Sequence, residues 1–256
     1  MRSPLGAFFV RLAKRLGWAA ITLLGTIVVT YTLIYAVPAD PARMVAGAKA
    51  DPETIKNISH QLRLDRPAPV RFALYVNDLA HGNWGKSSFT RKGVLPSIWD
   101  RFPATLELAG AGLFFYLVIG IPLGVWTARH NNGWQDRTVL IVGMCIISMP
   151  IFYLARMLQY GAAYKAQWLP VAGIGGLGHL LLPAFVLGLA GGVYYSRLLH
   201  SSLVEVFQQD YMRFSRARGL PERRVLWRHG VRNALIPVCT QLGMDVAGLL
   251  GGVIFT

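Results

Sequence analysis

The sequence predicts an all-α integral membrane protein, a polytopic bundle with five spans, and three observations point there. Of 256 residues, 54% are hydrophobic and only 15% charged, and the mean hydropathy of +0.41 exceeds that of ordinary globular domains. Five apolar runs reach the roughly 20 residues that a helix needs to cross about 30 Å of hydrocarbon. Lys and Arg gather in the short connections of one side only.

A net charge of +14 would suit nucleic acid if it formed a basic face on a soluble fold. Here the charges sit between apolar runs, which sets that partner aside. Cys145 and Cys239 each lie inside an apolar run and read as small buried hydrophobes. Two such cysteines make neither a disulfide framework nor a metal motif.

The first span, residues 18–37, follows Arg11, Lys14 and Arg15. It is longer than the apolar part of a secretory signal and runs into Pro38-Ala39-Asp40-Pro41, so a retained anchor helix is predicted. Residues 38–103 make a long connection with structure of its own. "DPETIKNISHQLRL" opens with Asp51 as a cap and Pro52 at the first helical position, then spaces Ile55, Ile58 and Leu62 along one face. "PVRFALYVNDLA" spaces Phe72, Tyr75, Val76 and Leu79 similarly. Two short amphipathic helices are therefore expected, on the outer membrane surface or against the bundle, followed by a Gly-rich turn at "HGNWGKSS". Such an insert could shield helix ends or receive an external partner, and the sequence leaves both open.

The remaining spans are predicted over 104–128, 139–160, 180–199 and 234–256, each containing Gly or Pro, which membrane helices tolerate. The last run stops at "GGVIFT" without interfacial anchors, so a sixth span is expected beyond it. Four basic residues precede the first span (Arg2, Arg11, Lys14, Arg15), and Arg129 and Arg137 follow the second. Seven arginines lie between the fourth and fifth (Arg213, Arg216, Arg218, Arg223, Arg224, Arg228, Arg232), whereas the third-to-fourth connection carries only Lys165. The N-terminus and the arginine-rich stretch are thus predicted to be cytoplasmic. The ten basic residues of 38–103 do not oppose this, because long loops translocate largely regardless of charge.

Within the arginine-rich stretch, Gly219 reads as the end of one helix and Leu220-Pro221-Glu222 as the start of another. That second helix is expected to be short, about 221–229, and set at an angle. It would present Arg223, Arg224, Arg228 and His229 around Val225, Leu226 and Trp227, a surface suited to anionic headgroups or to a cleft on a soluble partner. Lipid would explain the charge, but neither the Gly break nor Pro237 just inside the next span.

Ionisable groups inside spans are costly and mark function by default. Glu107 lies near an outer helix end and can snorkel to water, and Arg197 lies near a cytoplasmic end as an interface anchor. Arg156 interrupts "MPIFYLARMLQY", and Asp245 sits mid-span in "QLGMDVAGLLGG"; both are candidates for the pathway or a subunit interface. The glycines of "VAGLLGGV" and "LGLAGGVYY" allow close helix approach. The six histidines form no i, i+4 pair, so no metal site is expected. No "GxxxxGK[ST]" is present, which excludes ATP binding by a phosphate loop. An intramembrane enzyme would need a nucleophile and base, or a metal pair, arranged at membrane depth, and no such constellation appears. A lipid-anchored scaffold without a pathway remains the alternative to a transporter.

The stretch "QDYMRFSRARGLPERRVLWRHGVRNALIPV" resembles the cytoplasmic EAA loop of bacterial ABC-importer permeases, more narrowly the permease subunits of dipeptide, oligopeptide and nickel importers. The likeness extends in order through "PADPARMVAG", "LRLDRPAPVRF", "RFPATLELAGAGL", "GIPLGVWTARH", "SMPIFYLA" and "QWLPVAGIGGLGHLLLPA". It implies an ABC-importer permease fold in the bacterial inner membrane, as one permease domain over 1–256, with no catalysis and no cofactor in this chain. It also implies a coupling helix shaped by Gly219, Pro221, Glu222, Arg223, Arg224, Arg228, His229 and Pro237 and seated in a groove of an ATPase. The implied partners are a second permease, two cytoplasmic ATPase subunits that bind ATP and Mg, an extracytoplasmic solute-binding protein, and membrane lipid. The implied cargo is short peptides or nickel and its chelates, the short outer connection before "LLLPA" being nearer to nickel-type and glutathione-type members. Two departures stand out. Arg213, Phe214 and Ser215 occupy the places that name the EAA loop, with Phe214 bulky where a small residue is usual, and the family's last helix would lie past "GGVIFT".

Overall fold

The computed structural model describes residues 4–36, 41–47, 50–87, 90–173 and 175–251. Among these the regular elements are helices, with one isolated bridge between Lys86 and Gly93. Four helices are long and apolar enough to cross a membrane, and a sharply bent pair makes a fifth if its halves count as one span. The chain divides into two compact units, residues 1–99 and 100–256.

In the first unit, α1 (Pro4–Ala36) extends the predicted span backwards through Arg11, Lys14 and Arg15. Its 33 residues measure about 50 Å, so the basic first turns can stand clear of the hydrocarbon. Then come α2 (Pro41–Ala46), α3 (Pro52–Gln61) and α4 (Ala68–Ala80), the last two being the expected amphipathic helices. Asp51 caps α3 by accepting from the Thr54 backbone N–H at 3.3 Å, and the Thr54 hydroxyl also donates to it. These bonds hold the Asp51 carboxyl below its ordinary pKa. Arg63 turns the chain between α3 and α4 with φ 58° and pairs with Asp78 at 3.0 Å. The apolar face of α4 packs on α1, with the Tyr31 ring 5.2 Å from Phe72 and 5.6 Å from Tyr75. Gly82 and Gly85 then take φ of 79° and 70°, the left-handed turn that "HGNWGKSS" foretells.

The second long helix is α5 (Val94–Arg129). It leads to α6 (Trp134–Ser148), and then α7 (Ile151–Leu158) continues as a π-helical turn over Gln159–Lys165. This corrects the third predicted span. Pro150 supplies no N–H and forces Met149 into extended geometry at φ −78° and ψ 135°, and the axis turns by 102°. The 15 residues of α6 rise only about 22 Å, so the run does not cross as one straight helix.

The third long helix, α8 (Gly176–Phe207), is the hub of the second unit. It outlasts its predicted end at 199 by two turns, so the polar connection starts at 208 rather than near 200. The short α9 (Asp210–Ala217) follows. From Glu222 one helix then runs to Leu250: α10 (Glu222–Arg224), a π-helical segment Val225–Val231, and α11 (Arg232–Leu250). A separate angled helix over 221–229 is therefore not formed. Nothing between Val225 and Asn233 breaks a helix except Gly230, whose small volume is used for packing, and the π turn absorbs the change of register. The ends of the first and fifth predicted spans, residues 37 and 252–256, lie outside the described residues.

Tyr195, Leu199 and Leu203 of α8 pack with Val125 and Ala128 of α5 and with Leu226, Val231, Ala234 and Val238 of the last helix. Helices α5 and α8 meet through glycines. A Cβ on Gly120 would lie 3.0 Å from the Gly192 carbonyl oxygen, and one on Gly188 would lie 2.2 Å from Phe115 Cβ. The cysteines differ from expectation: Cys145 and Cys239 are both exposed on this chain. In lipid an apolar side chain gains nothing by turning inward, so an apolar run does not imply burial.

Candidate coupling surface and pathway residues

Gln209 is extended at φ −69° and ψ 146°, which ends α8 and sets α9 off as a helix of its own. Along α9, Met212 and Ser215 point inward, at 0% and 8% exposure, while Arg213, Phe214 and Arg218 remain outside. Gly219 then adopts φ 72° and closes the helix by donating its N–H to the Arg216 carbonyl at 2.9 Å. The free-standing short helix of the basic stretch is thus α9, one step earlier in the chain than expected.

Two clamps hold α9 against the start of the last helix. Arg216 grips Glu222 through two bonds of 3.0 and 3.2 Å, and the carboxylate holds the guanidinium proton more tightly than usual. On the other side, Asn233 donates to the Tyr211 hydroxyl at 3.0 Å and to the His229 carbonyl at 2.9 Å. Between the clamps, Gly230 lies beneath α9, where a Cβ would meet Phe207 at 3.3 Å and Met212 at 3.5 Å. The outer surface is basic and aromatic. Phe214 is 65% exposed with Arg218 over its ring at 5.8 Å, and Trp227 is 51% exposed.

Of the residues named from sequence, Gly219 makes the turn, Pro221 precedes the first turn of α10, and Glu222 closes the clamp. Arg223, Arg224 and Arg228 are exposed and form no ion pair among the described residues, whereas His229 and Pro237 are half-buried. The arrangement brings Gly219, Pro221 and Glu222 to the end of α9 but leaves Pro237 inside α11, away from the turn.

Beside this surface lies a buried polar cluster that sequence reasoning missed. Asp136 of α6 accepts from Arg197 at 2.8 Å and from the Asn132 backbone N–H at 3.2 Å, with His200 Nδ1 3.6 Å away. The Thr127 hydroxyl donates to the Leu123 carbonyl at 2.9 Å, so its lone pairs can accept from His200 Nδ1 at 3.1 Å. Thr127, Asp136 and His200 are all buried, and together they join α5, α6 and α8 at the end that carries Arg129 and Arg137. Arg197 is thus an internal partner rather than a free interface anchor. Polar residues inside apolar helices are the one sequence signal that could have found the cluster.

Asp245 and Arg156 occupy different clusters. Tyr195 donates its hydroxyl to Asp245 at 2.6 Å and Gln241 donates its amide at 2.9 Å, so the mid-span carboxylate faces α8 of its own chain and, among the described residues, is bonded by neutral groups. The Tyr116 ring packs tilted against Tyr195, with centroids 5.5 Å apart. Arg156 donates to Gln159 at 2.9 Å and borders a cavity of about 400 Å³ between α7, the 170–173 loop and the start of α8. No group of three or more His, Cys, Asp or Glu among the described residues is placed to hold a metal.

Residues 120–256 match the family model for the binding-protein-dependent transport system inner membrane component, and residues 8–109 match its N-terminal companion. The chain belongs to this family of ABC-importer permeases. The permease is 34% identical to the dipeptide transport system permease protein DppB of Alkalihalophilus pseudofirmus, over 91% of this chain and 79% of that one. It is 36% identical to the glutathione transport system permease protein GsiC of Salmonella choleraesuis and 35% identical to that of Escherichia coli K12, over 93% of this chain and 78% of theirs. Its family is one of multi-pass membrane transport components rather than enzymes.

Proposed function

We propose that this permease imports short peptides or glutathione-like peptides, and that α9 with its Gly219 turn passes the movement of a cytoplasmic ATPase to the spans. The observation that carries this is the clamped α9: a short helix fixed to both α8 and the last helix, with a basic, aromatic face turned outward. A push on that face is transmitted to two long helices at once. With the N-terminus cytoplasmic, as the distribution of Lys and Arg favours, the same face meets the ATPase subunits, which bind ATP and Mg. A second permease completes the pathway, and an extracytoplasmic binding protein delivers the peptide. Peptide cargo is favoured over nickel by the names of the relatives, and the described residues offer no metal-binding group.

The double substitution Arg213→Glu with Arg218→Glu, on the outer face of α9, tests the coupling role. Loss of ATPase co-purification with the membrane fraction is expected. Retained ATPase with weakened binding to anionic vesicles would instead make the basic face a lipid anchor.

A further inference from the structure

The cavity beside Arg156 has the makings of a ligand site. One face of α7 and of the π-helical turn that continues it presents Phe152, Arg156 and Gln159, spaced as neighbours on a helix. The start of α8 answers with His179, Leu182 and Val186, also neighbours on one helix face, and the 170–173 loop closes the end. At about 400 Å³ the space falls within the range of about 300–1,000 Å³ usual for ligand pockets. Its walls are apolar and its polar groups few, and no acidic residue lines it.

Charge decides the ligand class. Arg156 makes one hydrogen bond, to Gln159 Oε1 at 2.9 Å, and forms no ion pair among the described residues. Gln159 is itself tethered by donating its amide to the Val171 carbonyl, so the guanidinium is held by an anchored neighbour and keeps donors to spare. A permanent cation with free donors, an imidazole across the gap and apolar walls suit a single carboxylate attached to an apolar body. From these observations we infer that the cavity between α7 and α8 is a subsite for the terminal carboxylate of the transported peptide. Arg156 receives the carboxylate, Gln159 positions Arg156, and Phe152 with Leu182 covers the adjoining side chain. The cavity lies at the end of α8 opposite the Arg216–Glu222 clamp, which is the mouth that receives cargo from outside if the clamp is cytoplasmic. This inference rests on the peptide-import reading.

The test uses the assembled importer in proteoliposomes, with its partner permease, ATPases and loaded binding protein. Uptake of an apolar dipeptide is compared with uptake of its C-terminal amide, each variant being normalised to wild type for the same peptide. Arg156→Gln is expected to cut uptake of the acid by about tenfold while changing the amide less than about twofold. Arg156→Lys should restore part of the acid uptake, and Gln159→Leu should act in the same direction as Arg156→Gln but more weakly. Equal losses for acid and amide, or no loss for either, would overturn the subsite while leaving peptide import standing. A wild-type importer whose ATPase responds to the binding protein yet moves neither peptide would overturn both.

Discussion

Replacing Gly188 by Ala adds one methyl group at one of the two tightest points between α5 and α8. The new Cβ would stand 2.2 Å from Phe115 Cβ and 3.4 Å from Phe115 Cα. The obstacle is the root of a side chain, which no rotamer change can move, so the two helices must part by about 1 Å to reach ordinary contact at about 3.5 Å. Overpacking of this kind costs about 1–3 kcal/mol, whereas exchanging Gly for Ala in a helix gains up to about 1 kcal/mol. The substitution should therefore lose about 1–2 kcal/mol net. Gly110, also in α5, meets nothing within 4 Å at its own Cβ position, so Gly110→Ala should be neutral or slightly stabilising. The pair makes a controlled comparison by thermal unfolding of the purified chain in detergent. Equal stability of the two variants would refute the close α5–α8 approach.

Three further outcomes follow from the polar contacts. Asp136→Ala leaves Arg197 and the Asn132 N–H without their acceptor and should lower unfolding stability by about 1–3 kcal/mol, whereas Thr138→Ala, on an exposed site of the same helix, should be nearly silent. Asp245→Leu orphans Tyr195 and Gln241, while Asp245→Asn keeps an acceptor for Tyr195; only the leucine variant should unfold at a clearly lower temperature. Glu222→Lys breaks a surface clamp worth about 0.2–1 kcal/mol, so the spans should stay folded while proteolysis near Gly219 quickens.

Much of the architecture was legible because hydrophobic runs and turn residues act locally. The Asp51 cap, the two amphipathic helices and the left-handed Gly219 each follow from a few neighbouring residues. The break at Pro150 was also written locally, but membrane helices tolerate proline, and nothing local separates a kink from a turn of 102°. The continuous helix through Val231 is not legible in the sequence, because Pro221 marks a start and says nothing of where the helix stops. The cluster of Thr127, Asp136, Arg197 and His200 was invisible for another reason. Its partners lie 61 and 73 residues apart, beyond any periodicity, and only the folded chain brings them to one level. Asp245 was recognised as costly, yet its partner Tyr195 lies 50 residues away on α8.

In the mechanism proposed above, α9 and its Gly219 turn couple ATP hydrolysis to peptide movement. Gly219→Leu places a β-carbon at φ 72°, where L residues are strained, and tilts α9 without touching a span. The decisive measurement is ATP-dependent uptake of a labelled dipeptide into proteoliposomes holding the assembled importer. Wild type should accumulate the peptide, and Gly219→Leu should lose most of that uptake while the unfolding temperature of the spans stays within a few degrees. Undiminished peptide uptake by Gly219→Leu would rule out coupling through α9, and wild-type uptake of nickel with no uptake of peptide would rule out the peptide cargo.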